Sequence, residues 1–391
     1  MYSLLSKLKT NVRVGRPTKS APLHSTIEKG STLQVRHAIK GQALEGNDIW
    51  YVLDNGNLVW SGGFHASSEI PMIRTKYILA TADDYGIYDE IDTGIEYALK
   101  NGWINSVAVL VNKHKAGKLD RLFRLQNFLE QHSLKNKVHV GLHFTIASGK
   151  PLATNLNSIV NNHGFFKAFW LIHDGYQRNP YLKEVKDEFQ MQLEKFQKVF
   201  GRPDHISSHF DVLSYNEAFL NLSMQHADIL PSAIRSLNYL PYGKRIGMDF
   251  ITTADIMSAR ETDKYIKQYE FANQTTINVP DSSIVDHYGP PGFMPVWNYD
   301  RQKSKKQHDL SKWIEHFNND DSRVAEIVFH LIQHEPVSQR AFVRKFRAEQ
   351  QGYPGLKPNY FDGRVAEMMS LKSKRPWEKS EYNIQFKPKN N

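Results

Sequence analysis

From residue 77 to residue 330 short apolar runs alternate with stretches of helical texture, without an internal repeat in the sequence. Four of the five runs end in a ligand-type side chain. The runs cover 77–81 before Ala82-Asp83-Asp84-Tyr85-Gly86, 106–112, 137–144 with His143, 204–210 with His209, and 324–330 with His330. Strands that are apolar at nearly every position are buried on both faces, which calls for a parallel sheet covered by helices. The connecting stretches agree. Ile91, Ile95, Ala98 and Leu99 recur at helical spacing before Gly102, and 120–132 is a second helical stretch. Val185, Phe189, Leu193, Phe196, Val199 and Phe200 form one stripe that Gly201 and Pro203 terminate.

Residues 11–64 have another texture. Short runs at 32–35, 49–53 and 57–60 are separated by Lys29-Gly30, Gly41, Gly46-Asn47, Asn55-Gly56 and Gly62-Gly63. Asn-Gly between apolar runs is a strong hairpin signal, because both residues tolerate positive φ. The spacing predicts a small all-β barrel. Asn11-Val12-Arg13-Val14-Gly15-Arg16-Pro17, Trp50-Tyr51-Val52 and the 55–63 hairpin resemble bacterial Src-homology-3-like domains. That resemblance implies either binding of cell-wall peptide or glycan, or packing against a catalytic neighbour. The predicted organisation is therefore a small β-barrel over 1–66, a polar linker over 67–75, an α/β domain over 76–371 and a polar basic tail over 372–391. Trp377, Tyr382 and Phe386 are the tail residues suited to docking. Residues 279–300, rich in Pro, Gly and aromatics, read as a long surface loop.

Charge and composition exclude several classes. The chain has 391 residues, no cysteine and a net charge of +9. No thiol nucleophile, Cys-ligated zinc or iron–sulfur cluster is available. The surplus sits on the flanks: residues 1–76 carry 10 basic against 5 acidic groups, and 370–391 carry 6 against 2. The middle is balanced, unlike the basic body of a nucleic-acid enzyme, so no nucleic-acid partner is expected. No apolar run approaches the ~20 residues of a membrane span. The N-terminus lacks the apolar core and cleavage site of a secretory leader. The compartment is left open between the cytoplasm, for a complete chain, and the cell envelope or exterior, if a leader has been removed.

Asp83, Asp84, His143, His209 and His330 all stand at carboxyl ends of predicted parallel strands, the edge where ligands bind in such folds. Each has an ordinary structural reading. A strand-end His is commonly a hydrogen-bonded scaffold group, and Asp-Asp before Tyr-Gly can cap a helix or make a turn. Taken together they offer one carboxylate and two imidazoles, a mixed donor set that leaves open positions on a divalent cation. The second carboxylate is then a candidate base and the remaining His a candidate acid, a set suited to hydrolysing an amide or ester.

These motifs resemble the YdjC-like carbohydrate deacetylases, which include the chito-oligosaccharide deacetylases. Residues 82–86 are similar to "ADDFG" and 106–112 to "STTALVN". Residues 141–152 are very close to "GLHFTLTSGKPL". Gly164-Phe165-Phe166 fits "DGxF", 205–209 fits "HIDSH" and 326–330 fits "EIMxHP". The resemblance implies a distorted β/α barrel of the polysaccharide-deacetylase and glycoside-hydrolase type. It implies one divalent cation, magnesium or zinc, held by Asp84, His143 and His209. Asp83 would deprotonate the metal-activated water that attacks the acetamide carbonyl, and His330 would protonate the leaving amine, although the two Asp roles could be exchanged. The substrate implied is an acetylated amino sugar or oligosaccharide. The chain departs from the family at Ser207, Phe210, Asp211 and Leu331, where "DSHHHVH" and a proline after the last His are usual. His334 is a nearby substitute for His330. A catalytically impaired glycan or cell-wall binder, and a related amidase or esterase, are the alternative readings.

Overall fold

The computed structural model describes residues 1–14, 17–65, 70–72, 75–112, 120–167, 179–214, 217–229, 233–234, 267–274, 282–285, 307–308, 310–315, 317–318, 324–333, 359–372, 375–378 and 382–389. The chain divides into two compact units. One comprises Met1–Ile78, Asp309–Arg323 and Ser373–Phe386; the other comprises Leu79–His308, Val324–Lys372 and Lys387–Asn391.

The first unit contains a six-stranded antiparallel sheet in the order β1-β4-β5-β6-β2-β3. Its strands are β1 (Tyr2–Leu5), β2 (Thr10–Arg13), β3 (Leu23–Ile27), β4 (Thr32–Leu44), β5 (Asn47–Leu53) and β6 (Leu58–Trp60). The expected hairpin forms at Asn55-Gly56. Gly56 has φ +77°, and the Asn55 side chain accepts the Asn57 N–H at 3.1 Å. Alternation along the long β4 and β5 sends side chains to two clusters. Val35, Ala38, Tyr51 and Leu53 join Leu4, Val12, Val59, Phe64 and Ile70, while Ile39, Trp50, Val52 and Leu58 form the other. β1 lies before the segment read as all-β and pairs with β4, Leu4 opposite Leu33. Four residues without a flanking turn signal carry too little pattern to be read as a strand.

The C-terminal stretch expected as a polar tail also carries structure in this unit. Residues Pro376–Glu378 form a single 3-10 turn with Trp377 buried. Strand β14 (Ile384–Phe386) pairs in parallel with Lys76–Ile78 at the start of β7.

The second unit is mixed α/β. Its sheet runs β11-β10-β9-β8-β7-β13-β12, and the pairs β7/β8, β8/β9, β9/β10, β10/β11 and β12/β13 are parallel. In chain order the elements are β7 (Lys76–Tyr85), α1 (Asp89–Lys100), β8 (Ser106–Val109), α2 (Asp120–Gln131), β9 (His139–Phe144) and α3 (Asn179–Phe200). There follow β10 (His205–Ser208), α4 (Glu217–Ile229), β11 (Ala233–Ile234), β12 (Ser282–Val285), β13 (Val324–Phe329) and α5 (Asn359–Lys372). β7, at whose Ile78 the first unit ends, is buried along almost all its length, as its apolar run requires. Helix α1 buries Ile91, Ile95, Ala98 and Leu99. Gly94 lets α1 approach the backbone of Ile332 and Gln333, where a Cβ would lie 2.5 Å from the Ile332 carbonyl carbon.

One correction concerns the 279–300 loop. Residues 282–285 within it are β12, paired with Ala325–Val328 of β13. The rest of that loop lies outside the described residues. Local Pro and Gly content suggested a loop, but Ser-Ser-Ile-Val has β-favouring residues and a parallel neighbour to bond with. No helix among the described residues is long and apolar enough to cross a membrane.

Candidate metal centre

The carboxyl edge of β7, β9 and β10 gathers Asp84, His143 and His209. Their ligand-type atoms lie within 4.8 Å of one another and all three residues are buried. Asp84 Oδ1 is 2.8 Å from His209 Nδ1 and 3.5 Å from His143 Nε2. The two imidazoles meet edge to face, with centroids 5.6 Å apart.

A break in the strand makes both neighbouring carboxylates available. Ala82 pairs with Val107 but Tyr85 pairs with Val109, so β7 carries one extra residue between them. In a regular strand Asp83 and Asp84 would point to opposite faces. The bulge cancels that alternation. His143 Nε2 consequently lies 3.8 Å from Asp83 Oδ2 as well as 3.5 Å from Asp84. Asp84 itself has φ +73°, a conformation that Asp tolerates better than most residues but that still costs free energy.

The residues after the bulge hold it in place. Gly86 has φ +99°, and a Cβ there would sit 2.5 Å from the Leu110 carbonyl oxygen. Its N–H donates to Asp92 at 2.7 Å, and Arg121 Nη1 stands 3.3 Å from that carboxyl. Burial pushes Asp92 up to about 7, against the pull of Arg121 and the Gly86 N–H. The Tyr85 hydroxyl, kept protonated by burial, donates to Glu96 at 2.8 Å. Arg124 holds the other oxygen of Glu96 at 2.6 Å.

Each ligand-type side chain has a fixed orientation. Ser207 pairs with His143 across β10 and β9, and its hydroxyl is 2.8 Å from His143 Nδ1. That contact leaves His143 Nε2 for the cluster, the arrangement usual where a His binds metal. A serine thus occupies the orienting position at which the resemblance places a carboxylate. Burial alone would push the Asp84 carboxyl up. The His209 imidazole and the Arg364 guanidinium, with hydrogen bonds from both histidines, hold it well below the usual carboxylate range. Arg364, fully buried on α5, pairs with Asp84 Oδ2, so the two carboxylate oxygens have different partners. One oxygen and two nitrogens, buried and held from behind, fit a divalent cation.

His330 directly follows β13, the strand next to β7. It is buried but is not one of the three clustered residues. Its backbone N–H donates to Glu367 of α5 at 2.5 Å. Leu331, where the resemblance places proline, is fully buried, and the Gln333 N–H donates to the Glu90 carbonyl at 2.8 Å. His334 lies outside the described residues, as do the side chains of Phe210 and Asp211. Arg364 and Glu367 are the residues that sequence reasoning missed. Their one signal, an Arg and a Glu three apart on a helix, looks the same as a solvated ion pair.

Fold and cluster together define an α/β protein with a candidate metal centre at the carboxyl edge of a parallel sheet. The chain belongs to the YdjC-like protein family, whose model matches residues 77–375. It is 30% identical over 142 residues to a carbohydrate deacetylase of Clostridium beijerinckii, covering 36% of this chain and 53% of that one. It is 33% identical over 138 residues to a chitooligosaccharide deacetylase of Serratia marcescens, covering 35% and 50%. The chain spans about half the length of these curated relatives. A crystal structure from Enterococcus faecalis, named for cellobiose-phosphate cleavage, shares the fold. Its TM-score is 0.55 at 19% identity, covering 80% of this chain and 97% of that one.

Proposed function

We propose that this chain is a metal-dependent carbohydrate deacetylase that hydrolyses the acetamide of N-acetylated amino sugars or their oligosaccharides. The observation that carries the reading is the buried Asp84–His143–His209 cluster with a second carboxylate, Asp83, beside it. The names of the relatives supply the substrate class.

In this reading Asp84, His143 and His209 hold one divalent cation, magnesium or zinc. When bound, the cation supplies Lewis acidity to the acetyl carbonyl and to water. Asp83 accepts the proton from the attacking water. Attack turns the carbonyl into an oxyanion, and the C–N bond then breaks toward an amine that leaves only if its nitrogen gains a proton. His330 supplies that proton from its place just after β13, the strand beside β7. Ser207 keeps the His143 ring turned toward the cluster, and Arg364 leaves one Asp84 oxygen for the cation. The sheet belongs to a distorted β/α barrel in this reading. The N-terminal strands form a Src-homology-3-like module that binds cell-wall glycan or peptide.

Incubation of the metal-loaded protein with acetylated chito- and muro-oligosaccharides, with acetate measured, tests the function. Stoichiometric acetate with a matching new amine supports it. Metal loading with no acetate from any acetylated sugar favours the glycan-binding alternative, and cleavage confined to esters favours an esterase.

A further inference from the structure

The segment that follows His143 is built as a rigid platform. Two carboxylates one turn apart on α3 clamp it through backbone N–H groups. Glu188 accepts Leu152 and Ala153 at 2.9 and 2.8 Å, and Glu184 accepts Ser158 at 2.9 Å. The Phe166 N–H donates to the Gly149 carbonyl, and the Lys167 N–H to that of Ile159. The Asn161 side chain caps the turn between them, accepting the His163 and Phe165 N–H groups at 3.0 and 3.1 Å. Phe166 is buried and anchors the turn. Phe165, the next ring along, is 39% exposed, with the Lys150 ammonium over its face, 4.9 Å from the centroid.

This platform is hydrogen-bonded to the sheet edge that carries the cluster. Asn112 lies just past the end of β8, the strand between β7 with its two Asp residues and β9 with His143. Its side-chain amide donates to the carbonyls of Ser148 and Lys150 at 2.8 and 3.2 Å. Lys150, and with it Phe165, is therefore tied to the rim of the site.

We propose that Phe165 and Lys150 form a sugar subsite at that rim, where a pyranose ring of an N-acetylated oligosaccharide takes the place of the Lys150 ammonium on the Phe165 face and its hydroxyls accept hydrogen bonds from the displaced Lys150. An aromatic face and a flexible cation that can leave it match the two surfaces of a pyranose, an apolar C–H face and a rim of hydroxyls. The rigidity matters because a ring already held in position loses little freedom when it binds. The proposal rests on the carbohydrate reading and extends it from the reacting acetamide to a neighbouring sugar.

The probe is triacetylchitotriose, titrated calorimetrically into metal-loaded protein in an Asp83→Asn background so that turnover does not consume it. Adding Phe165→Ala or Phe165→Leu should weaken binding about tenfold, while Phe165→Trp keeps it within about threefold, the scale of one stacked ring. In the active protein the same Ala and Leu changes should lower kcat/KM for the trisaccharide, relative to 4-nitrophenyl acetate, mainly through KM. Melting temperatures verify that the variants are folded, and Phe165→Leu retains most of the side-chain packing should the Ala variant fail. Equal binding by the parent, Ala and Leu proteins, or no binding by the parent, overturns the subsite. Phe165-dependent binding without acetate release from the wild type leaves the subsite standing and overturns the deacetylase reading.

Discussion

Asp84 sits in a bulge at positive φ, with one oxygen toward two imidazoles and the other on a buried guanidinium. A side chain constrained this closely is matched to one task, and two residue-scale outcomes follow. His143→Ala should abolish stoichiometric binding of a divalent cation, measured by elemental analysis of the loaded protein. His139→Ala should retain it, because His139 meets the Lys387 carbonyl at 3.2 Å and stands at the opposite end of β9. The second outcome concerns the proton transfers. General acid–base groups contribute about 10²–10⁴-fold in rate. Asp83→Asn should lose turnover on that scale and keep the cation. His330→Ala should slow amide cleavage more than cleavage of an activated ester, whose leaving group needs no proton. Equal slowing of both substrates would remove His330 from the acid role.

At the scale of elements, helix α3 does more than cover the sheet. Val185, Phe189, Leu193 and Phe196 bury its apolar stripe, yet Glu188 and Gln192 are fully buried on the same side. Gln192 donates to the Thr145 carbonyl at 2.7 Å and accepts the Thr145 N–H at 3.2 Å, so the helix grips the chain just after His143. Burial pushes Glu188 up from 4.5 to about 6, against the hydrogen bonds from Ala153, Gln192 and Leu152. A carboxyl raised in the fold stabilises it fully below its unfolded value, and that contribution is lost as pH rises through the folded value. Stability should therefore fall between pH 4.5 and about 6 on account of Glu188, and up to about pH 7 on account of Asp92. The Glu188→Gln variant should have a flatter melting-temperature profile than wild type over the lower part of that range. The slope removed is at most about 1.4 kcal/mol per pH unit. Identical profiles would mean that Glu188 titrates normally.

For the whole molecule, the testable matter is independence of its parts. Among the described residues, the apolar clusters of the N-terminal sheet draw on residues between Tyr2 and Ile70. We expect a chain lacking 1–66 to fold, to melt cooperatively and to bind one divalent cation, as followed by circular dichroism and elemental analysis. The same compact unit also contains 309–323 and 373–386, where Lys76 donates to the Phe317 carbonyl and β14 extends from β7. If the truncated chain does not fold, the N-terminal sheet completes a hydrophobic core shared with those segments and is not a separable module.

Sequence alone determined the parallel α/β character, because apolar strands and striped helices report burial on both faces through local periodicity. It likewise placed Asp84, His143 and His209 at strand ends, since each closes its apolar run. The hairpin at Asn55-Gly56 was legible for a similar reason: positive φ is a local demand with a local residue signal. What only the tertiary structure decided depends on residues far apart in the chain. The bulge that turns Asp83 and Asp84 toward the same imidazole is set by register with β8. Ser207 orients His143 because β9 and β10 pair at that level. Arg364 reaches Asp84 across 280 residues, and β12 and β14 exist because neighbouring strands offer them hydrogen bonds. Pairing and burial of this kind have no short-range pattern, so their free energy is not written in any one segment.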